Sequence, residues 1–217
     1  MKRILFLLLS IAIGGAATAQ DREAKEILDK LSDKTKSYST ITADFTISID
    51  NKKDKVKDTQ QGKMQLKGSM FKISMKANDI YSNGRVRWTH VKEADEVNLQ
   101  NINPNDPSIL NNPVKLFNAY LTDFKYAYKG IKKESGVRVQ EIHLFPKDLK
   151  ATYSQVKLMI EESTGMPKTV IYKGKDGVTY TVRFSRITPN LPIANSEFVF
   201  NTKTHPNVEV IDMRKIL

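Results

Sequence analysis

Residues 41–50 have the sequence ITADFTISID, in which apolar and polar side chains alternate without a break. Successive side chains of a β-strand point to opposite faces of the sheet, so this alternation predicts a half-buried antiparallel strand. Its inward face would carry the odd-numbered apolar residues Ile41, Ala43, Phe45, Ile47 and Ile49. Because this face is apolar along its whole length, the strand needs another layer to cover it.

The same two-residue period continues through much of the chain. Met64 and Leu66 alternate with polar residues, and Phe71, Ile73 and Met75 follow in the same manner. We predict further strands over residues 124–129, 137–145, 153–161, 170–172, 178–184 and 197–200. The chain is therefore expected to be mainly β, with about ten strands.

Two dipeptides between apolar runs predict tight hairpins. Asn83-Gly84 and Asp176-Gly177 each separate two runs of strand type. Such pairs favour a two-residue type I′ turn, which needs positive φ at both positions. We therefore expect neighbouring strands to pair mostly through short turns.

Helical spacing occurs in only two segments. Apolar residues between Ala24 and Leu31 recur at intervals of three and four, which predicts a helix from about Asp21 to Lys36. A second, shorter helix is predicted from about Pro113 to Leu121. Because so few helices cannot cover a large sheet completely, we expect a curved sheet that leaves an apolar cavity beneath them.

The N-terminus has the composition of a secretory signal peptide. Basic residues Lys2 and Arg3 precede an apolar run over residues 4–13, and Ala17-Thr18-Ala19 provides an A-x-A cleavage site. A membrane-spanning helix needs about twenty apolar residues, which this run does not have. We predict a signal peptide over residues 1–19 and a single exported domain over residues 20–217.

The absence of cysteine and the positive net charge exclude some kinds of function and favour others. The chain contains no cysteine, which excludes disulfides, thiol chemistry and anchoring by lipidation of a cysteine. Its formal net charge is +11, which favours anionic lipid headgroups or acidic partners. Acidic residues interrupt the basic runs, however, and an exported chain rarely meets nucleic acid, so no nucleic-acid partner is expected.

Motifs of catalysis or metal binding are not recognisable in the sequence. His90, His143 and His205 lie far apart, without the spacing of a zinc-binding helix. Two S-x-x-K matches, at Ser69 and Ser154, do not begin a predicted helix. We therefore expect a protein that is not an enzyme and has no catalytic residues, metal site or cofactor.

Several segments together resemble the outer-membrane lipoprotein carrier protein (LolA) family. The C-terminal third carries the loop Asn190-Leu191-Pro192-Ile193, the motif Phe198-Val199-Phe200 and the apolar-acidic tail of residues 206–212. Ala43-Asp44-Phe45, Ser82-Asn83-Gly84 and Gly165-Met166-Pro167 add to the resemblance. It implies an open, incomplete antiparallel β-barrel of about ten to eleven strands, lidded by two or three short helices.

The resemblance also implies a function and a site. A family member would be a monomeric periplasmic carrier that receives acylated lipoproteins from an inner-membrane ABC transporter and delivers them to the outer membrane or an acceptor there. Its concave apolar face would hold the acyl chains. The residues predicted to line this cavity are Ile27, Leu31, Phe45, Ile47, Ile49, Met64, Leu66, Phe71, Ile73, Met75, Trp88, Phe117 and Leu121.

The sequence also allows other interpretations of these residues and other functions. The same apolar residues, taken alone, are more typical of an ordinary packed core. The family's basic residue and proline at one strand end correspond here to Lys67-Gly68-Ser69, so cargo transfer is expected to differ. A periplasmic sensor or interaction module of the same fold, and a secreted hydrolase with an unrecognised site, are the two other functions that fit.

Overall fold

A computed structural model describes residues 14–103, 106, 111–118 and 120–215. Its first element is helix α1, Gly14–Lys36, which begins seven residues before the predicted start at Asp21. Residues 1–13 of the predicted signal peptide lie outside the described residues, and residues 14–19 belong to α1. Two helices of four residues each, α2 (Lys115–Asn118) and α3 (Tyr120–Asp123), replace the single second helix that was predicted.

Twelve strands of the described chain form one sheet with two unpaired edges. The spatial order is β12-β6-β5-β4-β3-β2-β1-β11-β10-β9-β8-β7. Neighbours are antiparallel except β12 and β6, which are parallel. The strands are β1 Ile41–Asn51, β2 Val56–Lys67, β3 Met70–Met75, β4 Asn78–Ser82, β5 Val86–Val91, β6 Glu96–Asn101, β7 Phe124–Glu134, β8 Val137–Pro146, β9 Tyr153–Glu161, β10 Pro167–Gly174, β11 Val178–Pro189 and β12 Glu209–Asp212.

This architecture confirms the predicted fold class. The protein is mainly β, and its sheet is open, as in an incomplete barrel with short helices as a lid. The sheet has one or two strands more than predicted, because β12 pairs with the edge strand β6. Covering part of an edge in this way leaves fewer backbone groups open to pairing with another chain.

The prediction of a strand over residues 197–200 is wrong. Residues Asn195–Phe198 form a 3₁₀ helix instead. Phe198 and Phe200 are buried while Val199 between them is exposed, which imitates the alternation of a strand. Their burial comes from packing on the sheet, where the Phe200 ring lies 5.7 Å from that of Tyr81.

Both glycine turns differ in detail from the predicted type I′. Positive φ occurs at Gly84 (88°) and Gly177 (89°) but not at the preceding Asn83 or Asp176. The Asn83 side chain accepts hydrogen bonds from the backbone N–H groups of Arg85 and Val86 instead. Side-chain bonding of this kind stabilises the turn without requiring left-handed backbone at asparagine.

The two faces of the sheet have different coverings. Ala43, Met64, Ile73 and Ile80 lie opposite one another on consecutive strands and therefore share one face, here called the inner face. Helices α1 and α2 cover part of it, and its buried residues belong to the main hydrophobic core. On the outer face, the C-terminal segment of residues 195–205 packs against β4 and β5.

Gly62 allows the large Phe45 ring to lie flat on the inner face. The two residues are paired across β1 and β2. A methyl group on Gly62 would lie 2.5 Å from the Phe45 ring and 3.0 Å from Cγ of Met75. A side chain here would therefore displace two residues of the inner face.

We expect Gly62→Ala to lower the free energy of unfolding by about 1–3 kcal/mol, the usual cost of overpacking. Denaturant unfolding would measure this loss. Phe45→Leu in the same chain should recover part of it, because the smaller side chain makes room for the methyl group. The neighbouring outer-face variant Gln61→Ala should be nearly neutral, and an equal loss in Gln61→Ala would contradict this explanation.

Candidate functional site

An apolar cavity of about 140 Å³ lies between the inner face and α2. Every lining side chain is apolar except for the hydroxyl group of Tyr172. That hydroxyl lies 3.2 Å from the Thr152 hydroxyl, so Tyr172 lines the cavity mainly with its aromatic ring. The lining residues are Phe45, Ile47, Met64, Ile73, Met75, Ile80, Pro113, Leu116, Val170, Tyr172, Val182 and Phe184.

Strands from both halves of the sheet build the floor of the cavity. β1 stands in the middle, with β2, β3 and β4 on one side and β11 and β10 on the other. Phe45 and Phe184 form an edge-to-face pair across β1 and β11, with ring centroids 6.5 Å apart. The alternation of these strands turns their apolar side chains into the same space, which is why a continuous apolar wall results.

The roof consists of Pro113 and Leu116, which precede and begin the short helices. We call α2 and α3 the lid. Helices of four residues have no independent stability, so their position depends on tertiary contacts. One polar contact joins the lid to α1, where the hydroxyl of Thr35 lies 3.3 Å from the carbonyl oxygen of Phe117.

The structure brings five of the predicted site residues to this cavity, namely Phe45, Ile47, Met64, Ile73 and Met75. Others belong to the hydrophobic core without lining the cavity, namely Ile27, Leu31, Leu66, Phe71 and Phe117. Leu66 and Phe117 also line a second, more polar pocket beside Tyr38 and Gly68.

Two predicted residues are placed differently, and the side chain of a third is not described. Ile49 is half-buried near the end of β1 and does not line the cavity. Trp88 is paired with Tyr81 and so lies on the outer face. The side chain of Leu121 lies outside the described residues.

Sequence reasoning missed the contribution of β10 and β11. Val170, Tyr172, Val182 and Phe184 form one side of the cavity, although none was predicted as a site residue. Their alternation is as regular as that of β1, so it identifies an apolar face. It does not reveal that β11 pairs with β1, from which it is separated by more than a hundred residues.

The volume of the cavity limits what it can hold in this conformation. An apolar cavity of about 150 Å³ holds a molecule of roughly the size of benzene. A space of 140 Å³ therefore accepts only a few methylene groups. A longer apolar ligand would extend beyond this space, through its open side or by displacing the lid from the inner face.

One lid residue destabilises the observed position of the lid. Tyr120 of α3 is 1% exposed, and its hydroxyl has no hydrogen-bond partner among the described residues. Burial raises the pKa of this phenol well above its ordinary value, so it stays neutral. A buried hydroxyl without a partner costs about 1–3 kcal/mol, and water would satisfy it if the lid opened.

Neither a metal centre nor a transmembrane helix is found in the part of the chain that the structure describes. The described histidines and carboxylates include no group of three or more that could hold a metal ion. The described helices include none that is both long and apolar enough to cross a bilayer.

A curled open sheet with short helices over its apolar inner face defines a class of mainly β proteins with an apolar cavity between sheet and helices. The family model "Outer membrane lipoprotein carrier protein LolA" matches residues 36–201. The chain belongs to this family. No curated protein sequence matches it.

Solved structures share the fold at low sequence identity. An uncharacterized conserved protein from Thermus thermophilus has a TM-score of 0.58 and 8% identity, over 88% of this chain and 99% of that one. A DUF1329 family protein from Desulfovibrio piger has a TM-score of 0.52 and 11% identity, over 83% and 97%. A LolA superfamily protein from Nitrosomonas europaea has a TM-score of 0.45 and 13% identity, over 82% and 97%.

We expect Tyr120→Phe to stabilise the protein and to hold the lid closed for more of the time. Removing the unpartnered hydroxyl should raise the free energy of unfolding by about 1 kcal/mol, or about 2–4 °C in Tm. Amide hydrogen exchange in α2 and α3 should slow down. The half-buried Tyr126→Phe serves as the control and should change Tm little; a lower Tm for Tyr120→Phe would contradict the assignment.

Proposed function

We propose that the protein is an exported, non-enzymatic carrier that shelters the acyl chains of lipoproteins in the cavity under the lid. The observation that carries this proposal is the apolar cavity itself, built from six strands and roofed by Pro113 and Leu116 at the four-residue helix α2. Membership of the lipoprotein carrier family supports it. As a periplasmic shuttle, the protein would take lipoproteins from an inner-membrane ABC transporter and deliver them to the outer membrane.

The chemistry of the walls suits a flexible chain. Each buried methylene group contributes about 0.8 kcal/mol, so even part of an acyl chain binds with useful affinity. Met75 pairs with Gly62 across β3 and β2, and Met64 lies two residues along β2 from Gly62; the unbranched side chains of both methionines can adapt to different chain conformations. A wall of this type favours apolar ligands in general and does not select one chain length.

Release depends on the balance between the cargo and the lid. When the lid closes, Pro113 and Leu116 occupy the mouth of the same apolar space that an acyl chain would fill. Lid and cargo therefore compete for the inner face. The unpartnered hydroxyl of Tyr120 lowers the cost of opening, which favours loading.

Lys67 has a different role from the basic residue that the family resemblance suggests. Its Nζ donates a hydrogen bond to the carbonyl oxygen of Ile193, at 2.8 Å, in the segment that leads to the C-terminus. Leu66 points inward, so its neighbour Lys67 lies on the outer face. In this protein, cargo transfer would therefore proceed without a charge from Lys67 acting on the lid.

We expect Ile47→Asp to lower the affinity for a fluorescent fatty acid by at least about a hundredfold, because a carboxylate would have to lose its water within an apolar wall. Fluorescence titration of the purified protein would measure this. The matched control is Ser48→Asp, one residue further along β1, whose side chain points to the outer face and bonds with the Thr59 hydroxyl.

Both variants should be folded, as judged by circular dichroism, and Ser48→Asp should bind the probe like the original protein. Mass spectrometry of the protein purified from its own periplasm should find bound lipoprotein or lipid. Normal probe binding by folded Ile47→Asp would refute the proposed cavity. Clear turnover of a generic ester by the purified protein would refute the claim that it acts without catalysis.

A further inference from the structure

Three neighbouring loops form a basic end of the sheet. They are the loop between β1 and β2, the turn between β10 and β11, and the loop between β8 and β9. Asn51 pairs with Val178, so the first two lie side by side. The third adjoins the second, since the Lys175 Nζ donates to the carbonyl oxygen of Leu149 at 2.8 Å. We call residues 52–57, 147–150 and 173–176 the basic rim.

Lysines outnumber acids in the basic rim. It contains Lys52, Lys53, Lys55, Lys57, Lys147, Lys150, Lys173 and Lys175, against Asp54, Asp148 and Asp176. The three acids accept hydrogen bonds within their own loops, from Asn51 Nδ2, Lys150 N and Val178 N respectively. They stabilise the turns and leave the rim with an excess of positive charge.

The lysines of the β1–β2 loop are directed to solvent. Lys57 lies 3.7 Å from Asp50, whereas Lys52, Lys53 and Lys55 have no ion-pair partner in the described part of the chain. The rest of this end is not basic throughout, because the turn between β5 and β6 carries Glu93 and Asp95. The positive charge is therefore concentrated on one arc.

Exposed apolar side chains stand among these lysines. Leu149 is 88% exposed and has the highest exposure of the described large apolar residues. Val56, the first residue of β2, is 53% exposed. An apolar side chain at a loop tip surrounded by lysines is the combination that binds an anionic bilayer, since the lysines stay at the headgroups while the apolar group enters the interface.

The cavity lies over the middle of the long strands and reaches this end of the sheet at β3. Ile47 precedes the end of β1 by four residues, or about 14 Å of strand. Met75 is the last residue of β3, and Tyr172 lies two residues before the end of β10. A surface that met the rim would therefore lie about 14 Å of strand from Ile47 and next to Met75, two residues that line the cavity.

We propose that the basic rim docks the protein directly on an anionic lipid bilayer, with Leu149 inserted among the headgroups. This extends the proposed function, because docking would bring the cavity close to the membrane where acyl chains are loaded or released. The rim and the cavity have no residue in common, so each can be tested without the other.

Vesicle sedimentation tests the docking surface. The purified protein should bind vesicles of phosphatidylcholine and phosphatidylglycerol in equal amounts, but not vesicles of phosphatidylcholine alone, and high salt should release it. Lys52→Glu/Lys53→Glu should weaken binding at least tenfold, since each lysine near an anionic surface contributes roughly a fivefold factor. Leu149→Ser should weaken it by about tenfold through lost apolar burial.

Matched controls lie outside the rim. Lys129→Glu/Lys133→Glu makes the same change of net charge on β7, and Leu191→Ser removes a leucine that is 42% exposed in the segment after β11. Both controls should bind vesicles like the original protein. Equal loss in rim and control variants, or no binding to anionic vesicles, would overturn the proposal.

The fluorescent fatty acid distinguishes this failure from a failure of the carrier function. The rim variants should bind the fatty acid normally, because the rim lies outside the cavity. If the original protein binds anionic vesicles but no fatty acid, the docking surface stands and the carrier proposal fails. If it binds the fatty acid but no vesicles, the carrier proposal stands and the docking surface is refuted.

Discussion

The inner face of the sheet is apolar, and the chain has little with which to cover it. Helix α1 supplies one large buried stripe, but α2 and α3 have only four residues each. A sheet with an apolar face must curl, be covered or bind something apolar. Here the sheet curls, α1 covers part of it, and an apolar cavity remains between the inner face and α2.

The outer and inner faces of the sheet differ in how completely they are packed. On the outer face, the C-terminal segment packs the aromatic rings of Phe200 and His205 against β4 and β5, and the Val97 side chain of β6 is fully buried. Strands β4, β5 and β6 are thus stabilised by packing on their outer face. The inner face, by contrast, leaves an incompletely filled space between the sheet and α2.

Features of the fold and the cavity that depend on interactions between residues close in sequence could be predicted, whereas those that depend on distant residues could not. The period of two in residues 41–50 is local, and it correctly placed Phe45 and Ile47 on the inner face. The pairing of β1 with β11 is long-range, so the contribution of Val182 and Phe184 to the cavity was missed. Trp88 was misplaced because the apolar face of β5 is the outer one, which the C-terminal segment covers, and alternation does not tell on which side of the sheet an apolar face lies. The Phe198-Val199-Phe200 motif was misread because loop burial imitated a strand.

The central claim is that acyl chains occupy the space between the inner face and the lid. Photo-crosslinking with a lipoprotein whose acyl chain carries a diazirine would test it most directly, followed by mass-spectrometric mapping of the labelled residues. The account predicts labels at inner-face residues of β1, β3 and β11, such as Ile47, Ile73 and Val182. Labels confined to the outer face, or spread evenly over the surface, would contradict it.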